Sequence, residues 1–359
     1  MRTDHFRLRS RFFAFTLVLS LTAGAIARGH SNDHDIKSGK GKVQRQRETS
    51  SVFEFHSGFW INLHDFLYHQ ARISARQLAG GSDKAAGTAP GLADTGSLTP
   101  EQQRTWTSVL DYYRKTWIGR DLLFDEEMVR VKNRLVESEA AADLKRSELQ
   151  PELVAALERA APIYRARWWA EQDRANHSWI GAVTPLVNRF GDTLVGQLTT
   201  AYRAKWPGPR IRVDVVKYAS WAGAYTTLDP VHITVSSTDP RTQGLVALET
   251  LFHEASHAMV GRSFGAVSEG LAREGRAQNK TIPNDLWHAI IFYTTGEIVR
   301  RTLAKNGAAD YSPYAYRNGL YARAPSWQKY RSALEQHWQP YLDGKTDFNG
   351  AIANLVSAL

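Results

Sequence analysis

The sequence predicts an α+β protein that is mainly α, with a helical amino-terminal part and a small antiparallel sheet. Residues 53–205 repeat apolar side chains mostly at helical spacing, two short β-branched segments follow, and helical patterns return after residue 245. This order favours one layered unit over residues 53–359. Within it we expect a helical part (53–205), a central core (206–305) and a second helical part (306–359).

The amino terminus resembles a cleaved secretory signal. Four arginines precede an apolar run over residues 12–27, which ends in the small-residue site Ala25-Ile26-Ala27. We therefore predict a signal peptide over residues 1–27, cleavage after Ala27, and a periplasmic or secreted protein. Residues 28–52 are polar and charged, as in a disordered leader. No later segment has the roughly 20 apolar residues that a membrane span needs, so we expect no stable membrane insertion after cleavage.

The charge and the cysteine content of the chain argue against a nucleic-acid partner and against disulfides. The chain has a formal charge of +9, and residues 1–27 carry four Arg and one Asp, so cleavage leaves +6. These charges form no dense basic cluster, and we expect no nucleic-acid partner. The chain has no Cys, which excludes disulfides.

The first helical pattern runs from about Phe53 to Leu78, and a glycine-rich loop follows over residues 80–96. Thr99 and Gln102 form a capping-box pattern at the start of the next helix. Helical patterns continue to about Lys205. Three histidines lie in the first of these segments and are more typical of structural contacts than of a site: His56, His64 and His69.

Two strands are predicted at residues 211–217 and 231–237, from their β-branched content and alternation. A turn signal, Thr238-Asp239-Pro240, joins the second strand to the next helical segment. That segment carries the strongest motif in the chain.

The motif is His253-Glu254-Ala255-Ser256-His257. On a helix, side chains four residues apart share a face, so both imidazoles can reach one tetrahedral ion. Glu254 can then act on water beside the metal without being a ligand. The pattern predicts a Zn²⁺ site with His253 and His257 as ligands and Glu254 as general base.

Over residues 210–305 the chain resembles the zincin metallopeptidases, in particular the gluzincins, which take a third ligand from a Glu on a later helix. The resemblance implies a zincin-like core in an exported bacterial protein, with a strand along the cleft that pairs with an extended peptide or protein substrate. It also implies hydrolysis of peptide bonds by a zinc-bound water that Glu254 activates.

Four side chains after the motif are candidates for the third ligand: Glu269, Glu274, His288 and Glu297. We favour Glu297, which is predicted on a buried helix from Asn284 or Asp285 to about Ala304, with His288 as the alternative. Glu297 could instead form a helix salt bridge with Arg300 or Arg301.

The sequence also departs from the family pattern. Gluzincins place an Asp four residues after the ligand Glu to orient the first His, and here that position is Arg301. Glu249, one turn before His253, is a candidate for that orienting role.

Four side chains are candidates for stabilising an oxyanion: Tyr316, Tyr321, Tyr293 and His337. The predicted function is an exported zinc metallopeptidase. Two alternatives are a non-catalytic binding or structural envelope protein on a zincin scaffold and a zinc hydrolase of a non-peptide substrate.

Overall fold

The computed structural model describes residues 50–79 and 91–359, and it confirms an α+β protein that is mainly α. The predicted signal peptide (1–27), most of the predicted leader and residues 80–90 of the predicted loop lie outside the described residues. Of the last three residues of the predicted leader, Ser50 and Val52 are buried and Ser51 is exposed. Val52 is buried against Gly191, and its carbonyl accepts a hydrogen bond from the Ile211 N–H.

The sheet has four strands in the order β1-β2-β4-β3. It is mixed, which corrects the antiparallel sheet predicted: β1 and β2 are parallel, β2 and β4 are parallel, and only β3 runs antiparallel, to β4. Both predicted strands are confirmed as β2 and β4. The bounds are β1 Phe53–His56, β2 Ile211–Val216, β3 Ala224–Leu228 and β4 Val231–Ser236.

Twelve α-helices occur in the described residues, and the predicted capping box at Thr99 and Gln102 is confirmed. Short π-helical segments join the fourth helix to the fifth and the tenth to the eleventh. The bounds are α1 Phe59–Leu78, α2 Pro100–Thr116, α3 Glu126–Glu137, α4 Pro151–Tyr164, α5 Ala170–Tyr202, α6 Leu245–Ser256, α7 Ala266–Ala277, α8 Leu286–Ala304, α9 Tyr314–Arg317, α10 Pro325–Ala333, α11 Gln339–Leu342 and α12 Phe348–Ser357.

Helices cover both faces of the sheet. Phe53, Val213 and Ile233 point to one face and pack in a hydrophobic cluster with α5, α6 and α8. Val216 and Tyr225 belong to a second cluster, formed with α1 to α4. Burial on both faces lets β-branched strands pack as a central layer.

The edge strand β3 lies beside α6, the helix that carries the motif. On its other sides, α6 packs against α5 and α8. Gly296 lets α8 lie close to Glu249 of α6 and to Pro313, because a Cβ at position 296 would lie 2.8 Å from Pro313 and 3.1 Å from Glu249 Oε1.

Among the described helices, none is long and apolar enough to cross a membrane.

Candidate metal centre

Three histidines come together where α6 ends and α8 begins. His253 belongs to α6, His257 caps its carboxyl end, and His288 lies in the first turn of α8. Each offers one ligand nitrogen, and these three atoms lie within 4.8 Å of one another. This group can hold a metal ion. It is the only such group of His, Cys, Asp or Glu side chains among residues 50–79 and 91–359.

The geometry within the group is close to that of a coordination site. The Nε2 atoms of His253 and His288 are 3.3 Å apart. The three ring centroids are separated by 5.1 Å (His253 to His257), 5.0 Å (His257 to His288) and 5.3 Å (His253 to His288). Two nitrogens at about 2.0 to 2.1 Å from one tetrahedral ion are about 3.3 Å apart, so the spacing of His253 and His288 fits such an ion.

Electrostatics keep the three rings neutral. Burial lowers the pKa of His257 to about 3, with the His288 ring adding to the effect. Burial also lowers the pKa of His288 to about 4, although the Asp285 carboxylate opposes the shift. The pKa of His253 lies well below its ordinary value because of burial and the two neighbouring imidazoles. A neutral imidazole keeps the lone pair that a metal needs.

Aromatic rings surround the group. Phe292, one turn after His288 on α8, lies 4.0 Å from the His253 ring and 4.7 Å from the His288 ring, measured between centroids. Trp287 stacks on His288 at 5.2 Å. These rings limit the orientations open to the imidazoles and restrict the access of water.

Glu254, which follows His253 in α6, is buried and is held by the sheet. Thr226 of β3 donates a hydrogen bond to Glu254 Oε2 at 2.7 Å, and its hydroxyl also lies 2.9 Å from the Glu254 carbonyl. Burial raises the pKa of Glu254 to about 7, and the Thr226 bond opposes that shift. The strand thus fixes the position of the Glu254 carboxylate.

The structure does not bring Glu297 into the group. Arg300 binds both of its carboxylate oxygens, at 2.7 and 2.8 Å, and Arg301 binds one of them at 2.6 Å. Burial would raise the pKa of Glu297, but the two arginines outweigh it and lower the pKa. The ion pair considered from the sequence as an alternative is therefore present. His288 lies with the two motif histidines instead, while Glu269 and Glu274 are not part of the group.

Glu249 does not orient His253. Its carboxylate accepts hydrogen bonds from the Tyr311 hydroxyl at 2.5 Å and the Tyr314 N–H at 3.0 Å. The Nδ1 atom of His253 has no hydrogen-bond partner among the described residues.

Three of the predicted oxyanion donors are engaged elsewhere or enclosed. Tyr316 donates to Glu335, Tyr293 donates to Gln339, and the Tyr321 hydroxyl is buried without a partner in the described chain. His337 lies in the π-helical segment Leu334–Trp338, outside the group.

A fourth tyrosine, Tyr314, lies beside the aromatic rings that surround the group, and it is not among the candidates that the sequence predicts. Its ring stacks on Phe292, with centroids 5.9 Å apart. Burial raises its pKa, and the charges of Arg241 and Glu254 are among the smaller effects on it. No spacing in the sequence marks this tyrosine, because its place depends on how α9 packs against α8.

The histidines of the amino-terminal part have structural contacts. His56 pairs with Glu139 at 2.9 Å, His64 hydrogen-bonds the Tyr113 hydroxyl at 2.9 Å, and His69 stacks on a tyrosine ring.

Comparisons of the chain with protein-family models, with curated proteins and with solved structures found no match.

Proposed function

We propose that this protein is an exported, zinc-dependent hydrolase of peptide bonds. His253, His257 and His288 hold the ion, and Glu254 is the general base. The 3.3 Å between the Nε2 atoms of His253 and His288 supports this most directly, because it equals the separation of two nitrogens on one tetrahedral ion. His288 takes the role predicted for Glu297.

The donor set favours catalytic chemistry. Three neutral imidazoles leave one tetrahedral position open, as in catalytic zinc sites and unlike closed structural sites with four protein ligands. When bound, zinc supplies a Lewis acid and makes water a nucleophile near neutral pH.

Glu254 is placed to move the proton. Thr226 engages Oε2, while Oε1 has no hydrogen-bond partner among the described residues. We assign to Oε1 the proton of the attacking water, which Glu254 then gives to the nitrogen of the leaving amine as the C–N bond breaks. The charge on Glu254 is thereby restored at the end of the reaction.

The edge strand favours a peptide as the substrate. β3 has a neighbour, β4, on only one side of the sheet, and it carries Thr226. An extended peptide can add to such an edge through main-chain hydrogen bonds. Export rests on the arginines and apolar run of residues 1–27.

Metal analysis and peptide cleavage test the proposal together. The protein purified without chelators should contain about one zinc per chain, and it should cleave peptides in a random library in a chelator-sensitive manner. Glu254→Gln should keep the zinc and lose about 10²- to 10⁴-fold in rate. Protein without zinc would refute the metal site, and zinc without peptide cleavage would refute the assigned substrate.

A matched pair of variants identifies the third ligand. His288→Ala should weaken zinc binding by more than about 100-fold, since even residues that only support a ligand are worth about 10- to 100-fold. Glu297→Gln should keep zinc and cleavage. The opposite pattern would restore Glu297 as the ligand.

A further inference from the structure

A small cavity adjoins the metal centre on the side of α7. Its volume is about 120 Å³. Trp287 connects the two features, because its indole forms part of the cavity wall, stacks on His288 at 5.2 Å and lies 5.6 Å from the His257 ring. The cavity is lined by Arg262, Ser268, Leu271, Ala272, Ile282, Pro283, Asn284 and Trp287.

The lining combines an apolar wall with one cation. Leu271, Ile282 and Trp287 supply hydrocarbon and aromatic surface, and none of the lining residues is acidic. Arg262 is exposed and forms no ion pair with any described residue. Its guanidinium can therefore bind an anion without displacing a carboxylate.

Asn284 holds the cation and the indole in place. Arg262 Nη2 donates to Asn284 Oδ1 at 2.8 Å, and Trp287 Nε1 donates to the Asn284 carbonyl at 3.0 Å. The arginine and the aromatic wall are thus fixed relative to each other before any ligand binds, which lowers the entropic cost of binding.

We infer that this cavity binds the carboxy-terminal residue of a peptide, with its apolar side chain inside and its carboxylate on Arg262. An apolar side chain beside a carboxylate is what a chain terminus presents. Cleavage next to this residue rests on the proposed function: water adds across the last peptide bond, and a free amino acid leaves. Occupation of the cavity does not depend on cleavage.

Binding tests the inference without catalysis. On the Glu254→Gln protein, N-acetyl-L-leucine should bind about 10- to 100-fold more tightly than N-acetyl-L-leucinamide, measured by ligand-observed NMR, because a charge-assisted hydrogen bond is lost with the amide. Adding Arg262→Gln should remove this difference. Adding Arg104→Gln, the same change at an exposed arginine on α2, should leave it intact. Equal binding of acid and amide would overturn the inference.

Cleavage assays distinguish a carboxylate at the peptide terminus from the side chain of an internal Asp or Glu. Peptides that end in leucine as the free acid should be cleaved faster than their amides, by the same factor in kcat/KM, and Arg262→Gln should abolish the preference. Amidated peptides with an internal Asp or Glu that are cleaved as fast as the free acids would overturn the terminal assignment. If binding prefers the acid while no peptide is cleaved, the proposed function fails and the cavity assignment stands.

The size of the cavity gives an independent readout. Ala272 is exposed on α7, so Ala272→Leu should fold normally while filling the space. N-acetyl-L-alanine should then bind better than N-acetyl-L-leucine, the reverse of the order expected for the unsubstituted cavity. An unchanged order would contradict the placement of the side chain in this cavity.

Discussion

Glu249 is a buried carboxylate whose partners are all neutral. It lies on α6 and accepts hydrogen bonds from the Tyr311 hydroxyl and the Tyr314 N–H. Burial raises its pKa to about 7, although these two bonds oppose the shift. The carboxylic acid is therefore favoured in the folded protein, whereas the unfolded chain has the ordinary pKa near 4.5.

This shift predicts a pH-dependent stability. Between pH 4.5 and 7 the folded state binds more protons than the unfolded state, so the free energy of unfolding falls as pH rises, by up to about 3 kcal/mol from this group. Tyr311 and Tyr321, which also face Glu249, stay protonated in this range because their pKa values are raised. Glu249→Gln keeps the acceptor and cannot ionise.

Urea unfolding at pH 5 and pH 8 measures the effect. The variant Glu249→Gln should match the parent protein at pH 5 and exceed it in stability at pH 8. Glu137→Gln, a change of the same kind at an exposed position at the end of α3, should alter neither value by more than about 0.5 kcal/mol. A gain that is equal at both pH values would contradict the assigned titration.

The residues of the site differ in how far the sequence predicts them. His253, Glu254 and His257 follow from one local spacing, and the structure groups both histidines. Glu297 and His288 are nine residues apart on one helix, which places them about half a turn from each other. The helical spacing shows that the two side chains lie on opposite sides of α8, but it does not show which side faces α6. Arg300 and Arg301 bind the Glu297 carboxylate, and His288 lies on the side of α8 that faces α6.

Among the elements, β1 shows what local pattern omits. The sequence pattern predicts residues 53–56 as the start of a helix, but they form a strand whose partner, β2, begins at residue 211. Four residues are too few for an alternation to be distinguished from a helical pattern. The mixed sheet does not follow from local pattern either, because parallel pairing depends on contacts between distant segments.

The interface between α1, α3 and the sheet encloses a charged group. Lys132 of α3 is buried, donates to Thr227 Oγ1 at 2.5 Å and lies 5.5 Å from the Tyr225 ring centroid. Burial lowers its pKa to about 8, against the charges of Asp214 and Asp65. Asp65 of α1 is buried with neither carboxylate oxygen hydrogen-bonded in the described chain, and burial raises its pKa.

A double-mutant cycle tests whether these charges are coupled. Lys132→Met should lower the free energy of unfolding by about 3 kcal/mol, because it leaves Asp65 in the interior without a compensating cation. Asp65→Asn in the same protein should recover at least about 1 kcal/mol of that loss. Urea unfolding of the two single variants and the double variant gives the coupling energy. Additive effects would show that α1 and α3 dock without this interaction.

At the scale of the whole molecule, the two hydrophobic clusters share elements. The sheet contributes to both: Val213 to one face and Val216 to the other. The helical segment from α4 to α5 does the same, with Leu157 in the cluster of α1 to α4 and Leu198 in the other cluster. Neither cluster can lose these elements without exposing the other, which favours the single unit predicted over residues 53–359.

Two equivalent Leu→Ala substitutions test whether the two clusters unfold as one unit. Leu157→Ala and Leu198→Ala each remove a fully buried leucine from a different cluster, so each should cost about 2 to 5 kcal/mol. If the clusters unfold together, tryptophan fluorescence and far-ultraviolet circular dichroism should follow one urea transition, and both variants should move it as a whole. Separate transitions, with each variant shifting only its own, would divide the chain into two domains at the sheet. The candidate metal centre lies on the Leu198 side, so Leu157→Ala should then leave the proposed zinc binding unchanged.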